Sequence, residues 1–386
     1  MRIGIYASSI AVRPGYEQIV SGHVQVPLHT AKLLSESGHD VELITTAFDS
    51  SMCLPAMTPV GVPVRQLHNV QLPVSAGGTR SNVEGMRHFK RTLLSVFGLV
   101  RLAKKQKYDV LHLFGASGTA ALAGLVSLAG IHCPVVVTLN TGREPKPSSF
   151  VWTWLWKRID QILTTTDYFQ SALASRGIAS DVIRHGVIRE FENTHCGSAV
   201  RNRVLFWREA SPLNGGDIGA EVFRRLAPKY PHINFDFAVR PHRLQPELVE
   251  KLVDTMPNVN LFTTPYPSGV TLEGLLAEAI CVLQPFRAFT IQPQLSILES
   301  MHAGVAVITT DIESASELID SGEDGLLVPP ENPDAAASAV ESLILDRQLA
   351  DSLAAVARKA APDKWNWNGY TEKLLNHYKK LVSGSW

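Results

Sequence analysis

Cysteines are few and far apart. Cys53, Cys133, Cys196 and Cys281 form no Cys-x-x-Cys pair. That spacing argues against a structural zinc site and against a disulfide-knit module, and it suits reduced thiols in a cytoplasmic protein. An excess of either charge is missing too: 36 Lys and Arg balance 36 Asp and Glu, a formal net charge of +0. Bulk electrostatics therefore draws the chain towards neither nucleic acid nor an anionic surface. No apolar run is long enough to span a bilayer. The most apolar region, residues 120–139, is broken by Gly124, Gly130, His132 and Pro134, as a helix followed by a strand would be. A leader peptide is not expected, because residues 1–6 already read as a strand. No Asp-x-Asp element is present to hold a divalent metal on a diphosphate, so a metal is not expected. No carboxylate pair is spaced for glycoside hydrolysis. Short-period repeats and low-complexity segments are absent.

What is present is alternation. The 386 residues, 45% apolar and 19% charged, suit two globular domains. Residues 2–7 read as a strand, 8–22 as a polar loop, 23–37 as a helix closed by Gly38-His39, and 40–45 as a second strand. That order is a right-handed crossover unit of a parallel sheet. Residues 50–85 read as loop-rich. Further strands are predicted at 109–114, 134–139 and 181–188, and a second series at 204–207, 234–239, 259–262, 281–283 and 305–309. Residues 190–202 are polar and aperiodic, the candidate linker. The helix at 88–107 carries basic residues beside its apolar face. It reads as a core helix with a solvated basic side, or as a surface for an anionic membrane or a phosphate-bearing acceptor. Trp152, Trp154 and Trp156 fall on different sides of a helix or on one face of a strand. Membrane anchoring, an acceptor groove and a plain core helix all remain open there.

The stretch from Val282 to Pro330 is the most informative. An apolar strand ends at Pro285, and a loop with Gln292-Pro293-Gln294 follows. A helix then carries Leu295, Leu298, Glu299 and Met301 and stops at Gly304. A short strand, Glu317, an acidic Gly-containing turn and a double proline complete it. This order resembles the donor half of the GT-B glycosyltransferases of family 4. Leu298, Glu299, Met301, Ala303, Gly304, Val307, Glu317, Gly322, Gly325, Leu326 and Pro329 fall at family positions. The family's first Glu, eight residues before Glu299, is Ile291 here, and its Gly-Phe-Gly is Gln292-Pro293-Gln294. The opening text through residue 45 and the Asp-Val-x-His of residues 109–112 also resemble the family. In that family the His is a buried strand residue, so His112 reads as structural. Residues 203–226 resemble the segment in which an Arg and a Lys hold the diphosphate. The Arg is Arg208; the Lys is replaced by Asn214, followed by Gly215. The Gly-x-Gly expected after the strand at 234–239 is Arg240-Pro241-His242, and the His expected after residue 139 is Asn140.

The resemblance implies an α/β protein of GT-B class, with two Rossmann-like doubly wound parallel-sheet domains facing across a cleft. The expected divisions are an acceptor-side domain over 1–195, a nucleotide-sugar donor domain over 200–364, and a helix over 365–386 crossing back to the first domain. It implies sugar transfer from a nucleoside-diphosphate sugar to a hydroxyl or amine, with retention, no metal and no cofactor beyond the co-substrate. Arg208 and Asn140 are the implied catalytic residues. Donor contacts are expected at Gly22, Arg208, Asn214, Arg287, Gln294, Leu295, Glu299 and Glu317, and acceptor contacts at Tyr16, His23, Asn140 and Arg143. With a Lys missing at Asn214 the site is one charge short, and Arg287 is a candidate to supply it. The implied partners are the nucleotide sugar and a small-molecule, glycan or lipid-linked acceptor, with no nucleic acid. The expected location is cytoplasmic, with peripheral contact at the inner membrane face as an option. The alternative is a GT-B protein that no longer catalyses and serves as partner, scaffold or nucleotide sensor; an epimerase is a weaker third reading.

Overall fold

Short apolar runs separated by amphipathic stretches can bury both faces of a strand only if helices cover each side of the sheet. The computed structural model has that arrangement twice. It describes residues 1–17, 21–71, 82–142, 150–188, 201–240 and 247–384, with backbone alone for 68–71 and 82–93. The chain divides into one unit of Met1–His185 with Trp367–Trp386 and a second of Gly186–Asn366. The division lies ahead of the linker expected at 190–202, most of which is outside the described residues.

Unit 1 runs β1 (Arg2–Ala7), α1 (Gly22–Glu36), β2 (Asp40–Ala47), β3 (Val64–Gln71), α2 (Asn82–Gln106), β4 (Val110–Gly115), α3 (Ser117–Leu128), β5 (Val135–Leu139), α4 (Phe150–Trp156), β6 (Gln161–Thr164), α5 (Asp167–Ala174) and β7 (Asp181–Val182). Its seven strands lie in the order β3-β2-β1-β4-β5-β6-β7, all parallel. Unit 2 runs β8 (Arg203–Trp207), a turn of 3-10 helix (Pro212–Asn214), α6 (Gly216–Leu226), β9 (Asn234–Val239), α7 (Glu247–Thr255), β10 (Val259–Thr263), α8 (Leu272–Ala277) and β11 (Ala279–Gln284). It continues through α9 (Leu295–His302), β12 (Ala306–Thr310), α10 (Ala315–Leu318), β13 (Leu326–Val328), α11 (Pro333–Leu345) and α12 (Arg347–Lys364); α13 (Trp367–Ser383) packs in unit 1. Its six parallel strands are ordered β10-β9-β8-β11-β12-β13. Strand order reverses beside β1 in one unit and beside β8 in the other. In open parallel sheets such switch points leave a crevice at the carboxyl ends of the strands.

Strand β3 lies where the sequence reads as loop. Its text, VRQLHNVQ, has little apolar alternation. It is held by backbone pairing to β2 and by Arg65, whose Nε donates to Glu42 Oε1 at 2.7 Å. A cross-strand ion pair leaves no periodic trace in one sequence. The strand predicted at 181–188 shortens to two residues. The three tryptophans lie on helix α4 and point differently: Trp156 is buried, Trp152 half-buried, and Trp154 40% exposed under the Arg158 guanidinium at 4.7 Å. Among the described residues no helix is long and apolar enough to cross a membrane.

Phe206, Phe223, Phe235 and Phe237 fill the core of unit 2, with Phe223 and Phe237 ring centres 4.6 Å apart. Each ring buried is worth roughly 1.5–3 kcal/mol of hydrophobic stabilisation. In unit 1, α13 is fastened by polar and aromatic contacts. Thr30 Oγ1 donates to the Tyr370 hydroxyl at 3.2 Å. Trp367 stacks on His185 at 5.1 Å and meets His29 at 4.4 Å. His112 is buried between the Tyr378 hydroxyl, at Nδ1, and Thr138 Oγ1, 2.7 Å from Nε2. Burial pushes its imidazole down to about 3, so it is neutral at physiological pH.

The two histidines give unit 1 an acid sensitivity of defined sign. Burial first, then the charges of Lys32 and His185, hold His29 down at about 4, against 6.5 for an ordinary His. An unfolded chain therefore binds protons that the folded chain refuses between those values. Stability is full above pH 6.5 and is lost as pH falls from about 6.5 towards about 4. Scanning calorimetry should show the melting temperature dropping across that window, with a flatter slope in His29→Gln. An equal slope in that variant would assign the effect elsewhere.

Candidate donor site

The apolar run of β8 ends at Trp207, and the next residue turns sharply: Arg208 has φ +137. L residues rarely adopt that conformation, at a cost of about 1–3 kcal/mol, and such strain gathers at functional sites. The Arg208 amide still donates to Ala238 O at 3.2 Å, which keeps it on the carboxyl edge of the sheet at the β8–β11 switch point. Desolvation lowers its guanidinium to about 10, with Arg240 adding to the drop and Glu209 and Glu299 opposing it. The group stays cationic at neutral pH, and these side chains lie near enough for their charges to act on one another.

A buried set of hydrogen bonds ties the elements around this point. Gln284, the last residue of β11, donates through Nε2 to Trp207 O at 3.2 Å. Its Oε1 accepts from Ser296 Oγ at 3.1 Å, which itself accepts from Gln294 Nε2 at 3.1 Å. Trp207 Nε1 donates to Ser300 Oγ at 3.0 Å, and that hydroxyl donates to Ser296 O at 2.8 Å. Helix α9 is thereby fixed against β8 and β11, and its mid-helix Glu299 is buried at 7% exposure. The loop before α9 is held by Glu313, whose Oε2 accepts from Gln292 Nε2 and, at 3.3 Å, from the Phe289 amide. None of Gln284, Ser296, Ser300 or Glu313 stands out in the sequence; a polar residue closing an apolar strand is the one signal Gln284 offers.

The turn after β8 approaches the loop after β11 closely. Gly215 has φ +72, and a Cβ there would meet Pro285 O at 1.9 Å, so no other residue fits. Asn214 is buried beside it. Its Nδ2 donates to Glu209 O at 2.9 Å while its Oδ1 has no partner among the described residues, so it braces the turn. Arg287 differs from the expectation that it fills the missing charge. Its Nη1 and Nη2 bind Asp217 at 2.6 and 2.9 Å, and Nη2 binds Glu331 at 2.8 Å. Nη1 also donates to Pro212 O, and Nε to Glu331. Two carboxylates thus face one guanidinium, whose pKa is raised by hydrogen bonds first to Asp217 and then to Glu331. Arg287 clips the turn before α6 to the segment after β13.

The other expected donor residues are spread over α9 and α10. Leu295 opens α9 and is buried as core; Gln294 caps that helix, fully buried, with Oε1 unpaired. Glu317 is half-buried on α10. In unit 1, Gly22 is the first residue of α1, His23 follows it exposed, and Tyr16 is 38% exposed in the preceding loop. Asn140 follows β5, its backbone N–H donating to Gly115 O at 3.2 Å. Its side chain is fully buried, and among the described residues neither Oδ1 nor Nδ2 has a hydrogen-bond partner. Arg143 lies outside the described residues. Among the described residues, no group of three or more His, Cys, Asp and Glu is gathered closely enough to hold a metal ion.

The model of the family described as Glycosyl transferases group 1 matches residues 201–346, and that of Glycosyltransferase Family 4 matches residues 20–191. An uncharacterized glycosyltransferase of Methanocaldococcus jannaschii is 28% identical over 116 residues, 30% of this chain and 29% of that protein. The matched stretch therefore spans less than a third of that relative. Among solved structures, the sucrose-phosphate synthase of Thermosynechococcus elongatus superposes over 100% of both chains, with TM-score 0.72 and 14% identity. Anabaena HepE, solved in complex with UDP and glucose, superposes over 99% of this chain and 100% of its own, with TM-score 0.70 and 16% identity.

The contact at Gly215 is testable before any ligand is known. Gly215→Ala adds a Cβ against a backbone carbonyl at a left-handed position. It is expected to cost about 3 kcal/mol in urea denaturation, through strain and overpacking together. A loss under about 0.5 kcal/mol, the scale of ordinary surface substitutions, would mean that the turn and the loop are not packed as described.

Proposed function

The chain is a GT-B protein of the group 1, family 4-like glycosyltransferases, and from this we propose that it moves a sugar from a nucleoside-diphosphate sugar to a hydroxyl or amine acceptor. The observation that carries the proposal is a strained cationic Arg208 at the switch point of unit 2, with the buried Glu299 near enough for its charge to act on it. A carboxylate there suits two ribose hydroxyls, and a guanidinium suits the oxygens of a diphosphate. HepE complexes with UDP and UDP-glucose support that donor class.

In the proposed reaction the bond from the sugar's anomeric carbon to the β-phosphate oxygen breaks, and its electron pair stays on that oxygen. The acceptor oxygen or nitrogen forms the new bond to the same carbon. Its proton passes to the departing phosphate, since Asn140 cannot take one at neutral pH. Arg208 steadies the charge that grows on the leaving group. Attack on the face the phosphate leaves retains configuration and depends on positioning. Fixed cations and amide donors supply the stabilisation in this reading, without a metal ion.

The reading of a protein that binds nucleotide without turnover draws on Asn140, Asn214 and Ile291 together. Acceptor-dependent release of nucleoside diphosphate separates the two. The active reading expects release with at least one donor, and a loss of nucleotide affinity in Glu299→Ala on the order of 10- to 100-fold, the worth of charged hydrogen bonds. Tight binding with no release over a broad acceptor panel would favour the sensor.

We also propose a cytoplasmic enzyme in peripheral contact with a membrane, where a lipid-linked acceptor would lie. Phe150 is 84% and Val151 61% exposed on α4, beside Trp154 and exposed Lys157 and Arg158. Aromatic side chains next to cations suit a headgroup layer. The double variant Phe150→Ser/Trp154→Ser should lose most co-sedimentation with anionic vesicles. Undiminished co-sedimentation would remove α4 from that role.

A further inference from the structure

Unit 2 has a pocket of about 730 Å³ at the edge of its sheet opposite the switch-point crevice. One side of it is made by Arg201 ahead of β8, Ile280 near the start of β11 and Gly304 ahead of β12. Those three strands are neighbours, so this side is the amino edge of the sheet. The other side is α12, along which Arg347, Asp351, Arg358 and Lys359 recur at intervals that share one helix face. The lining therefore carries four cations and one carboxylate. That carboxylate is taken: Arg201 Nη1 donates to Asp351 Oδ1 at 2.8 Å. Acids on the adjoining segments are taken too. Asp346 accepts from the Leu349 amide at 2.9 Å, and Glu278 accepts from Arg203 Nε at 2.6 Å. Arg358 has an interaction of its own. Arg347 and Lys359 form no side-chain hydrogen bond or ion pair among the described residues.

We propose that this pocket binds a small soluble organic bisphosphate, with one phosphate at Arg347 and Arg201 and the other at Lys359. Arg347, the first residue of α12, is half-buried. Desolvation lowers its guanidinium; the Cys281 thiol and Asp351 oppose the drop, and Arg201 adds to it. Burial raises the Cys281 thiol to about 12, so it stays neutral and supplies no counter-charge. A partly desolvated cation whose one neighbouring carboxylate already serves another arginine is costly, and an arriving anion relieves that cost. A guanidinium offers a phosphate two parallel donors, while the exposed Lys359 adds a point charge. Arg347 and Lys359 stand about 18 Å apart along the helix axis, too far for one phosphate to touch both. Between them Ile280, Ala350 and Ala354 present an apolar wall. Cations at both ends of an apolar middle match a molecule with a carbon body and a phosphate at each end, and the volume is that of a small-molecule pocket.

The test is calorimetric binding to the full chain, with fructose 1,6-bisphosphate, fructose 6-phosphate and fructose as probes. Melting temperatures check that each variant is folded. The bisphosphate should bind more tightly than the monophosphate, and fructose should not bind. Arg347→Ala should weaken the bisphosphate roughly 10- to 100-fold, the range for lost hydrogen bonds to a charged group. Lys359→Ala should weaken it by up to about 5-fold, the scale of an exposed ion pair, and should leave the monophosphate unchanged. If Arg347→Ala does not fold, Arg347→Gln carries the comparison. Arg208→Ala, at the opposite edge of the sheet, should keep the full affinity, and Arg208→Gln replaces it if needed. Equal affinity for the two phosphates, unchanged affinity in a folded Arg347 variant, or a loss in the Arg208 variant overturns the proposal. So does failure of the bisphosphate to bind at millimolar concentration, including the case in which the chain is retained only by vesicles carrying phosphatidylinositol bisphosphate.

Discussion

The buried hydrogen bonds among Trp207, Gln284, Gln294, Ser296 and Ser300 decide what the second sheet can do. A strand end, a neighbouring strand end and a helix start are each common. What makes them a site is fixed spacing, and fixed spacing in a core needs polar groups that satisfy one another, because an unpaired one costs about 1–3 kcal/mol. Gln284 does this through both ends of one amide. It reaches across to the β8 carbonyl and forward to the α9 serine, so β8, β11 and α9 move as one piece. Arg208 and Glu299 ride on two of those elements.

The charges are sorted by commitment. Around the turn before α6, Arg287 is enclosed by Asp217 and Glu331, an arrangement that stabilises the loop and leaves a surplus of negative charge there. At the strand edge, the charges of Arg240, Glu209 and Glu299 all act on the buried guanidinium of Arg208. Counting arginines in the text would not separate the two, since the count ignores which carboxylates the fold brings alongside.

Unit 1 shows the same division between texture and contact. Most of its strands were legible as short apolar runs, although the one read at 181–188 keeps only two residues. β3, which the sequence reads as loop, is held by its ladder and by Arg65 against Glu42. The placement of α13 beside α1 depends on Thr30 with Tyr370 and on Trp367 stacked on His185 and tilted against His29, pairs up to 340 residues apart in sequence.

By itself the sequence determined the parallel α/β class, the division into two halves, most elements, and the likeness to the family 4 donor segment around Glu299. Periodicity and glycine or proline punctuation are local, so they survive in one dimension. The tertiary structure alone decided which polar atoms are already bonded and which charges stand together. It enclosed Arg287 between Asp217 and Glu331, tied Asn214 to the Glu209 carbonyl, and set Arg208 at the sheet edge against Ala238 of a separate strand. Those outcomes depend on the lateral order and register of strands, which backbone pairing sets and which a linear text does not carry.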